Sequence, residues 1–177
     1  MNEDDIITIE LTADMINEAR KVHAERLIHK QSEKTRLAID NHGVYGELGH
    51  MAVEEALDRM RLLYESTRKI RYKGGDPYDI KYENDTIDVK ATHGVIDQWF
   101  YNKEFLVFQA QLDDPKSELV SHFVFVVVNP DLTEAYIFGI IDKYDFLEKC
   151  YPVKLKWENQ GIRANKLKPL RRYIYRT

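Results

Sequence analysis

Acids and a lysine occupy alternating positions in a predicted β-hairpin. Apolar and charged residues alternate in two segments, Tyr78 to Tyr82 and Ile87 to Ala91, after a Gly-Gly-Asp-Pro turn signal. When two such strands pair with their apolar residues on one face, Asp79, Asp88 and Lys90 share the other face. The alternation therefore predicts a charged patch on one side of the hairpin.

The length of the hairpin loop decides which of these side chains face each other. A two-residue loop, Glu83-Asn84, would place Asp79 opposite Asp88, whereas a four-residue loop, Glu83 to Thr86, would place it opposite Lys90, and three residues would separate them. Carboxylates that face each other repel. Two such groups, with carbonyl and water oxygens, form a site suited to Mg²⁺ or Mn²⁺. The hairpin therefore predicts a divalent-metal site with a lysine beside it.

A third acid lies on a predicted helix that begins near Tyr45. Glu47 is on the edge of the helix's apolar stripe, in the first turn, from where it could reach the charged face of the hairpin. The alternative is that Glu47 only stabilises the helix dipole. Glu47 and His50 also have the Glu-x-x-His spacing of di-iron bundles, but that design needs a second such pair, and the sequence contains none. The apolar stripe consists of Leu48, Met51, Ala52, Ala56, Met60 and Leu63.

The tripeptide Asp-x-Lys occurs three times, beginning at Asp79, Asp88 and Asp114. Of these, Asp88-Val89-Lys90 is the one that has both an acid on a preceding strand and an acid on a preceding helix. This order of helix acid, hairpin acid and Asp-Val-Lys resembles that of the PD-(D/E)xK phosphodiesterases, the restriction-endonuclease-like superfamily. The resemblance extends over roughly residues 43–142.

The resemblance implies a role for each matching residue. Asp79 and Asp88 would bind the metal ion, with the carbonyl of Val89 as a further ligand, and Glu47 would complete the site directly or through water. Lys90 would orient or deprotonate the attacking water and would stabilise charge that develops on the phosphate. The implied fold is a mixed β-sheet flanked by helices, in the α/β class.

The motif departs from the family pattern at its proline. Tyr78, not proline, precedes Asp79, whereas Pro77 follows Asp76. Asp76 therefore remains an alternative for the first acid.

The hairpin also allows an interpretation without a metal ion. Asp88 could form ordinary surface salt bridges with Lys81 or Lys90, which contribute about 0–1 kcal/mol to stability.

Basic residues are unevenly distributed although the net charge of the 177-residue chain is −4. A cluster immediately before the hairpin is expected to bring a polyanion towards the acids; it consists of Arg68, Lys69, Arg71 and Lys73. The segment 151–177 is also basic, either as a solvated face or as part of a binding surface. Three aromatic residues after the hairpin could stack on bases or could cap the core; they are Trp99, Phe100 and Tyr101.

The length of the chain predicts one domain over 1–177. The resemblance implies a nuclease core at about 43–150, between two flanking segments. Thr12 is expected to cap a helix over 12–34. Apolar runs predict strands at 105–112, 122–129 and 135–141, and the continuous run from Phe123 to Val128 predicts a strand covered on both faces. A further helix is expected at 143–150. The segment after it has no readable pattern.

Composition limits the protein class and its location. The N-terminus is acidic and no apolar run has the length of a membrane span, so we expect a cytoplasmic protein. The single cysteine, Cys150, excludes an internal disulfide. From the resemblance we expect a Mg²⁺- or Mn²⁺-dependent endonuclease that hydrolyses DNA, with a possible homodimer. Because no module for reading bases is visible in the sequence, we expect a phage or mobile-element role. The alternatives are an RNA-processing nuclease, and a catalytically silent nuclease-fold module that binds nucleic acid or a protein partner.

Overall fold

A computed structural model describes residues 3–29, 42–68, 77–96 and 102–175. Within these residues, the protein is of the mixed α/β class. The helices and strands, in chain order, are β1 (Ile7–Glu10), α1 (Ala13–His29), α2 (His42–Arg59), β2 (Glu65–Ser66), β3 (Ile80–Tyr82), β4 (Asp85–His93), β5 (Glu104–Phe108), α3 (Gln109–Leu112), β6 (His122–Val128), β7 (Glu134–Asp142), α4 (Lys143–Lys149), β8 (Tyr151–Lys154), β9 (Glu158–Arg163) and α5 (Leu170–Ile174).

The strands form two sheets. A six-stranded sheet has the order β1-β7-β6-β4-β3-β2, in which β4 and β6 run parallel and the other neighbours run antiparallel. An antiparallel three-stranded sheet has the order β5-β9-β8. The architecture is thus a mixed sheet flanked by helices, as the sequence predicted at this coarser level.

The large sheet separates two hydrophobic cores. One face packs against α1, α2 and α5, and contributes alternate residues of β6 such as Val124 and Val126. The opposite face packs against the small sheet and α4, with Phe123 and Phe125 among its buried residues. All residues of β6 are buried, which confirms the prediction of a central strand covered on both sides.

Two helix predictions are confirmed and one boundary is corrected. The backbone N–H of Met15 donates to Thr12 Oγ1 at 3.2 Å, so Thr12 caps α1; residues 30–34 of that predicted helix lie outside the described residues. The helix α4 forms with Asp142 as its cap. Helix α2 begins at His42, earlier than the predicted Tyr45, and Leu63 of its predicted apolar stripe lies beyond the helix and is exposed.

The predicted strand at 105–112 is wrong in its second half. The strand β5 ends at Phe108, and the residues that follow form the short helix α3. Their sequence, Gln-Ala-Gln-Leu, consists of residues with good helix propensity and lacks the β-branched residues of a strand. The strand β1 and the small sheet's β8 and β9 were not predicted. No helix in the described ranges is long and apolar enough to cross a membrane.

Candidate functional site

A tight turn of two residues joins β3 to β4. Ile80 pairs with Ile87, and Tyr82 pairs with Asp85, which leaves Glu83 and Asn84 as the loop. Glu83 adopts the left-handed conformation with φ 53°, which turns of this length require. Of the loop lengths considered from the sequence, the two-residue loop is the one observed.

Extending this register by one residue places Asp79 opposite Asp88. The backbone N–H of Asp79 donates to the carbonyl of Ile87 at 2.9 Å, and the carboxylate Oδ2 accepts from the backbone N–H of Val89 at 2.7 Å. Just before β3 begins, the side chain of Asp79 therefore accepts a hydrogen bond from β4 that a backbone carbonyl would otherwise accept. This bond fixes Asp79 against β4, beside Asp88.

Asp88 lies between a like charge and an opposite charge. Burial, together with the charge and the hydrogen bond of Asp79, raises the pKa of Asp88 from its ordinary 3.8 to about 6, against the opposing effect of Lys90. The Nζ of Lys90 lies 2.6 Å from Asp88 Oδ2, and the Asp88 side chain is 24 % exposed. The two carboxylates are thus held together at an energetic cost, which a bound cation would lower.

Lys90 is oriented by two further groups. Its Nζ donates to Oε1 of Gln111 at 3.2 Å and lies 5.8 Å from the centre of the Phe123 ring. Gln111 belongs to α3, where the sequence predicted a strand, so its position beside Lys90 was not expected. An amide that accepts from the lysine, together with an aromatic ring beneath it, restricts where the ammonium group can lie.

His50 is a second residue that sequence reasoning did not place at this site. Its Nδ1 lies 3.7 Å from Asp79 Oδ1, and its Nε2 lies 3.3 Å from the hydroxyl of Ser66 and 3.9 Å from Glu54 Oε1. The Glu-x-x-His spacing drew attention to this histidine, but as a metal ligand of a helical bundle. The structure instead places the imidazole between two carboxylates, in contact with the predicted first acid.

Helix α2 lies directly against β4. A Cβ atom on Gly49 would lie 2.4 Å from the Cβ of Ala91, so the glycine permits this close approach, and Tyr45 stacks on His93 with ring centres 4.9 Å apart. Glu47 is 3 % exposed on this helix, one turn before His50. The predicted third acid is therefore buried on the helix that packs on the hairpin.

The donor set of the hairpin fits a magnesium ion only in part. Among the residues that the structure describes, no group of three or more histidine, cysteine, aspartate and glutamate side chains could hold a metal ion, so Glu47 does not complete such a group with Asp79 and Asp88. Mg²⁺ commonly uses one or two carboxylates and retains water and phosphate oxygens as its other ligands. The adjacent pair Asp79 and Asp88 satisfies that requirement.

Of the predicted basic cluster, only Arg68 lies among the residues that the structure describes. Its Nε lies 3.0 Å from Glu54 Oε2 and its Nη1 lies 4.0 Å from Glu18 Oε1, with 14 % of the side chain exposed. Arg68 is thus engaged in ion pairs within the protein, and its partner Glu54 is largely buried. The rest of the basic cluster, the alternative first acid and the three candidate stacking residues lie outside the described residues; they are Lys69, Arg71, Lys73, Asp76, Trp99, Phe100 and Tyr101.

A second polar cluster surrounds His122 at the turn end of β4. His122 Nδ1 lies 3.6 Å from Asp85 Oδ1 and its Nε2 lies 3.9 Å from Asp142 Oδ2, while Ser121 Oγ lies 2.9 Å from Nδ1. The hydroxyl of Tyr173 donates to Asp85, and its ring packs 4.8 Å from the imidazole. This cluster joins α5 to the hairpin.

Comparison with known proteins adds no further assignment, since no protein-family model and no curated protein matches the chain. The resemblance to PD-(D/E)xK enzymes therefore rests on the motif residues in the sequence.

Proposed function

We propose that the protein is a Mg²⁺-dependent nuclease of the restriction-endonuclease-like superfamily that hydrolyses phosphodiester bonds in DNA. The observation that carries this proposal is the pairing of Asp79 with Asp88, with the Lys90 ammonium 2.6 Å from the Asp88 carboxylate. Burial, with a smaller contribution from the Asp79 charge, raises the pKa of Asp88 to about 6. Perturbed carboxyl groups beside a specific cation are typical of functional sites. The mixed sheet flanked by helices agrees with the fold that the motif implies.

Each residue has a role in the proposed reaction that its contacts support. Asp79, fixed by the Val89 amide, and Asp88 would hold the metal ion, with the Val89 carbonyl as a further ligand and Glu47 acting through water. Mg²⁺ in such a site lowers the pKa of bound water and neutralises phosphate charge. Lys90 would orient the water that attacks phosphorus and would offset negative charge as the bond to the leaving oxygen breaks.

The test is cleavage of plasmid, single-stranded, branched and RNA substrates with Mg²⁺ or Mn²⁺. We expect cleavage by the wild type, and a loss of about 100-fold or more in Asp88→Ala and in Lys90→Ala. Lys116→Ala is the matched control, because it removes an exposed lysine from another Asp-x-Lys tripeptide. Circular dichroism and thermal melting would show that each variant folds. Equal activity in all the variants would refute the nuclease assignment.

A silent nuclease-fold module is the second candidate, favoured by one observation. The ammonium of Lys90 is ion-paired with Asp88, so a lysine already partly compensates the acid pair without a metal ion. Nucleic-acid binding without cleavage by any metal would support the module, whereas preferential cleavage of structured RNA would indicate an RNA-processing enzyme. A homodimer remains a prediction from the family resemblance. A phage or mobile-element role remains a prediction from the sequence, in which no module for reading bases is visible.

A further inference from the structure

The turn between β8 and β9 exposes an aromatic and basic tip. This tip consists of residues 154–157, Lys-Leu-Lys-Trp, in which Leu155 is 61 % exposed and Trp157 is 53 % exposed. The Nζ of Lys156 lies 5.7 Å from the centre of the Trp157 ring. An aromatic ring and a large aliphatic side chain that are exposed together beside cations are compatible with a ligand-binding surface.

The backbone of the tip is held in place. The side-chain amide of Asn159, which is buried, donates to the carbonyl of Trp157 at 2.6 Å. Lys154 pairs with Glu158 across the two strands. The indole is therefore presented on a fixed turn, which lowers the entropy lost when a ligand stacks on it.

The tip carries cations that are available for a polyanion. Lys149 and Lys168 are ion-paired with Asp145, at 3.1 Å and 3.5 Å. By contrast, no acid in the described ranges lies within ion-pair distance of the ammonium groups of Lys154 and Lys156. Exposed lysines that flank an aromatic ring suit a strand that offers phosphates beside unpaired bases.

The topology places the tip at the same end of the small sheet as α3. Asn159 pairs with Phe108, the residue immediately before α3, so the β8–β9 turn projects from that end. The side chain of Gln160 donates to Oε1 of Gln109 at 2.8 Å, and Gln111 on the same helix accepts from Lys90. Helix α3 thus links the tip to the hairpin site.

From these contacts we propose that the tip binds an unpaired nucleic-acid strand and extends the hairpin site. Trp157 stacks on a base, and Lys154 and Lys156 contact the flanking phosphates. This inference rests on the proposed function, whose substrate it narrows to single-stranded or locally unpaired DNA. Stacking tolerates any base because every base has a π face, so we expect little sequence preference.

The experiment measures binding without cleavage, by fluorescence anisotropy of labelled 20-nucleotide DNA in EDTA. We expect Trp157→Ala to weaken binding of single-stranded DNA about 5- to 100-fold and to change duplex binding little, as for removal of one stacking aromatic residue. Tyr144→Ala is the matched control, because this tyrosine is 82 % exposed on α4. Replacing Lys154 and Lys156 together by alanine should reduce the slope of log Kd against log salt concentration by about 1–2.

A second readout follows the indole directly. The chain has two tryptophans, so a Trp99→Phe background leaves Trp157 as the single emitter. Its fluorescence should be quenched as single-stranded DNA is added. No quenching, or equal binding by Trp157→Ala and the control, would overturn the inference, as would absence of nucleic-acid binding or an equal loss for duplex. Tighter, Trp157-dependent binding of RNA would overturn the choice of DNA.

Failure of the two proposals can be told apart. Loss of binding in Trp157→Ala, without wild-type cleavage under any metal, would refute the nuclease proposal and support the tip as a binding surface. Metal-dependent cleavage by the wild type, with unchanged binding in Trp157→Ala, would support the nuclease proposal and refute the tip as a binding surface.

Discussion

The strand β4 contributes an acid to each of two polar clusters. In the first cluster, at the end of β4 next to the β3–β4 turn, the acids accept hydrogen bonds from structural partners. Asp85 accepts from the Tyr173 hydroxyl and lies 3.6 Å from His122, and Asp142 on the other side of that imidazole accepts from the backbone N–H groups of Tyr144 and Asp145 at 2.7 and 3.2 Å. Each acid has a structural partner: a phenol for Asp85 and a helix N-terminus for Asp142. We interpret this cluster as a clasp that holds α5 and α4 to the sheet.

The second cluster lies further along the same strand and is not balanced in this way. Asp88 and Asp79 face each other. The raised pKa of Asp88, about 6, indicates that Lys90 offsets only part of the free-energy cost of burying the Asp88 carboxylate beside Asp79. This difference is the reason why we place the proposed cation at Asp79 and Asp88. In the clasp the two carboxylates lie on opposite sides of an imidazole. Asp79 and Asp88 instead face each other directly, so a cation between them would relieve a repulsion, although it would compete with Lys90 for Asp88.

An Asp-to-Asn substitution should reduce the cleavage rate in the hairpin pair and the stability in the clasp. Asp79→Asn removes one charge from the proposed metal pair, and we expect a loss in cleavage rate of about 100- to 1,000-fold with the fold intact. Asp85→Asn weakens the clasp, so it should lower the free energy of unfolding by about 1–3 kcal/mol with cleavage per folded molecule unchanged. Initial cleavage rates and urea denaturation separate the two effects.

Asp14→Asn is the control for both, because Asp14 is an exposed acid in the first turn of α1, and we expect its loss to leave cleavage unchanged and to cost at most about 1 kcal/mol of stability. If Asp85→Asn abolished cleavage while remaining folded, the clasp would belong to the catalytic site, and the contrast between the two clusters would be lost.

The raised pKa of Asp88 predicts how stability changes with pH. The folded protein binds the proton more tightly than the unfolded chain, so the ionised group is destabilising. The contribution of Asp88 to stability should be most favourable below pH 4, become less favourable as the pH rises from about 4 to 6, and then level off, with a total change of about 2–3 kcal/mol from this group. Asp88→Asn should remove that decrease and be more stable than the wild type at pH 7.

The measurement is urea denaturation in EDTA across pH 4 to 8, for wild type and Asp88→Asn in parallel. Other groups titrate in both proteins, so the difference between the two curves isolates Asp88. A difference that is constant with pH would show that the pKa of Asp88 is not raised in the folded protein.

Much of the hairpin could be predicted from the sequence, because the period-two alternation of β3 and β4 determines which side chains share a face. The loop length could not, since Glu83-Asn84 lacks the glycine that marks such turns and Glu83 itself adopts the positive φ. Gln111 was missed because a four-residue helix follows a strand without a break. The contact of His50 depends on how α2 crosses the sheet, which local sequence does not encode.

The approach of α2 to the hairpin can be tested with two glycines on that helix. A methyl group on Gly49 would meet the Cβ of Ala91 at 2.4 Å, so Gly49→Ala should destabilise by about 1–3 kcal/mol and should reduce cleavage by shifting β4 beside Lys90. A methyl group on Gly46 has no atom within 4 Å, so Gly46→Ala should stabilise by about 0.5–1 kcal/mol. Thermal melting with cleavage rates distinguishes them, and similar behaviour of both variants would contradict the packing.

The smallest expected effect concerns the clasp. Tyr173→Phe removes the hydroxyl that donates to Asp85 but keeps the ring against His122, so unfolding should become easier by about 1 kcal/mol. Tyr144→Phe, at an exposed tyrosine, should change stability by less than half of that. Cleavage should be unaffected in both, because neither hydroxyl contacts the acid pair of the hairpin. A cleavage defect in Tyr173→Phe at full stability would mean that the clasp and the hairpin site work as one unit.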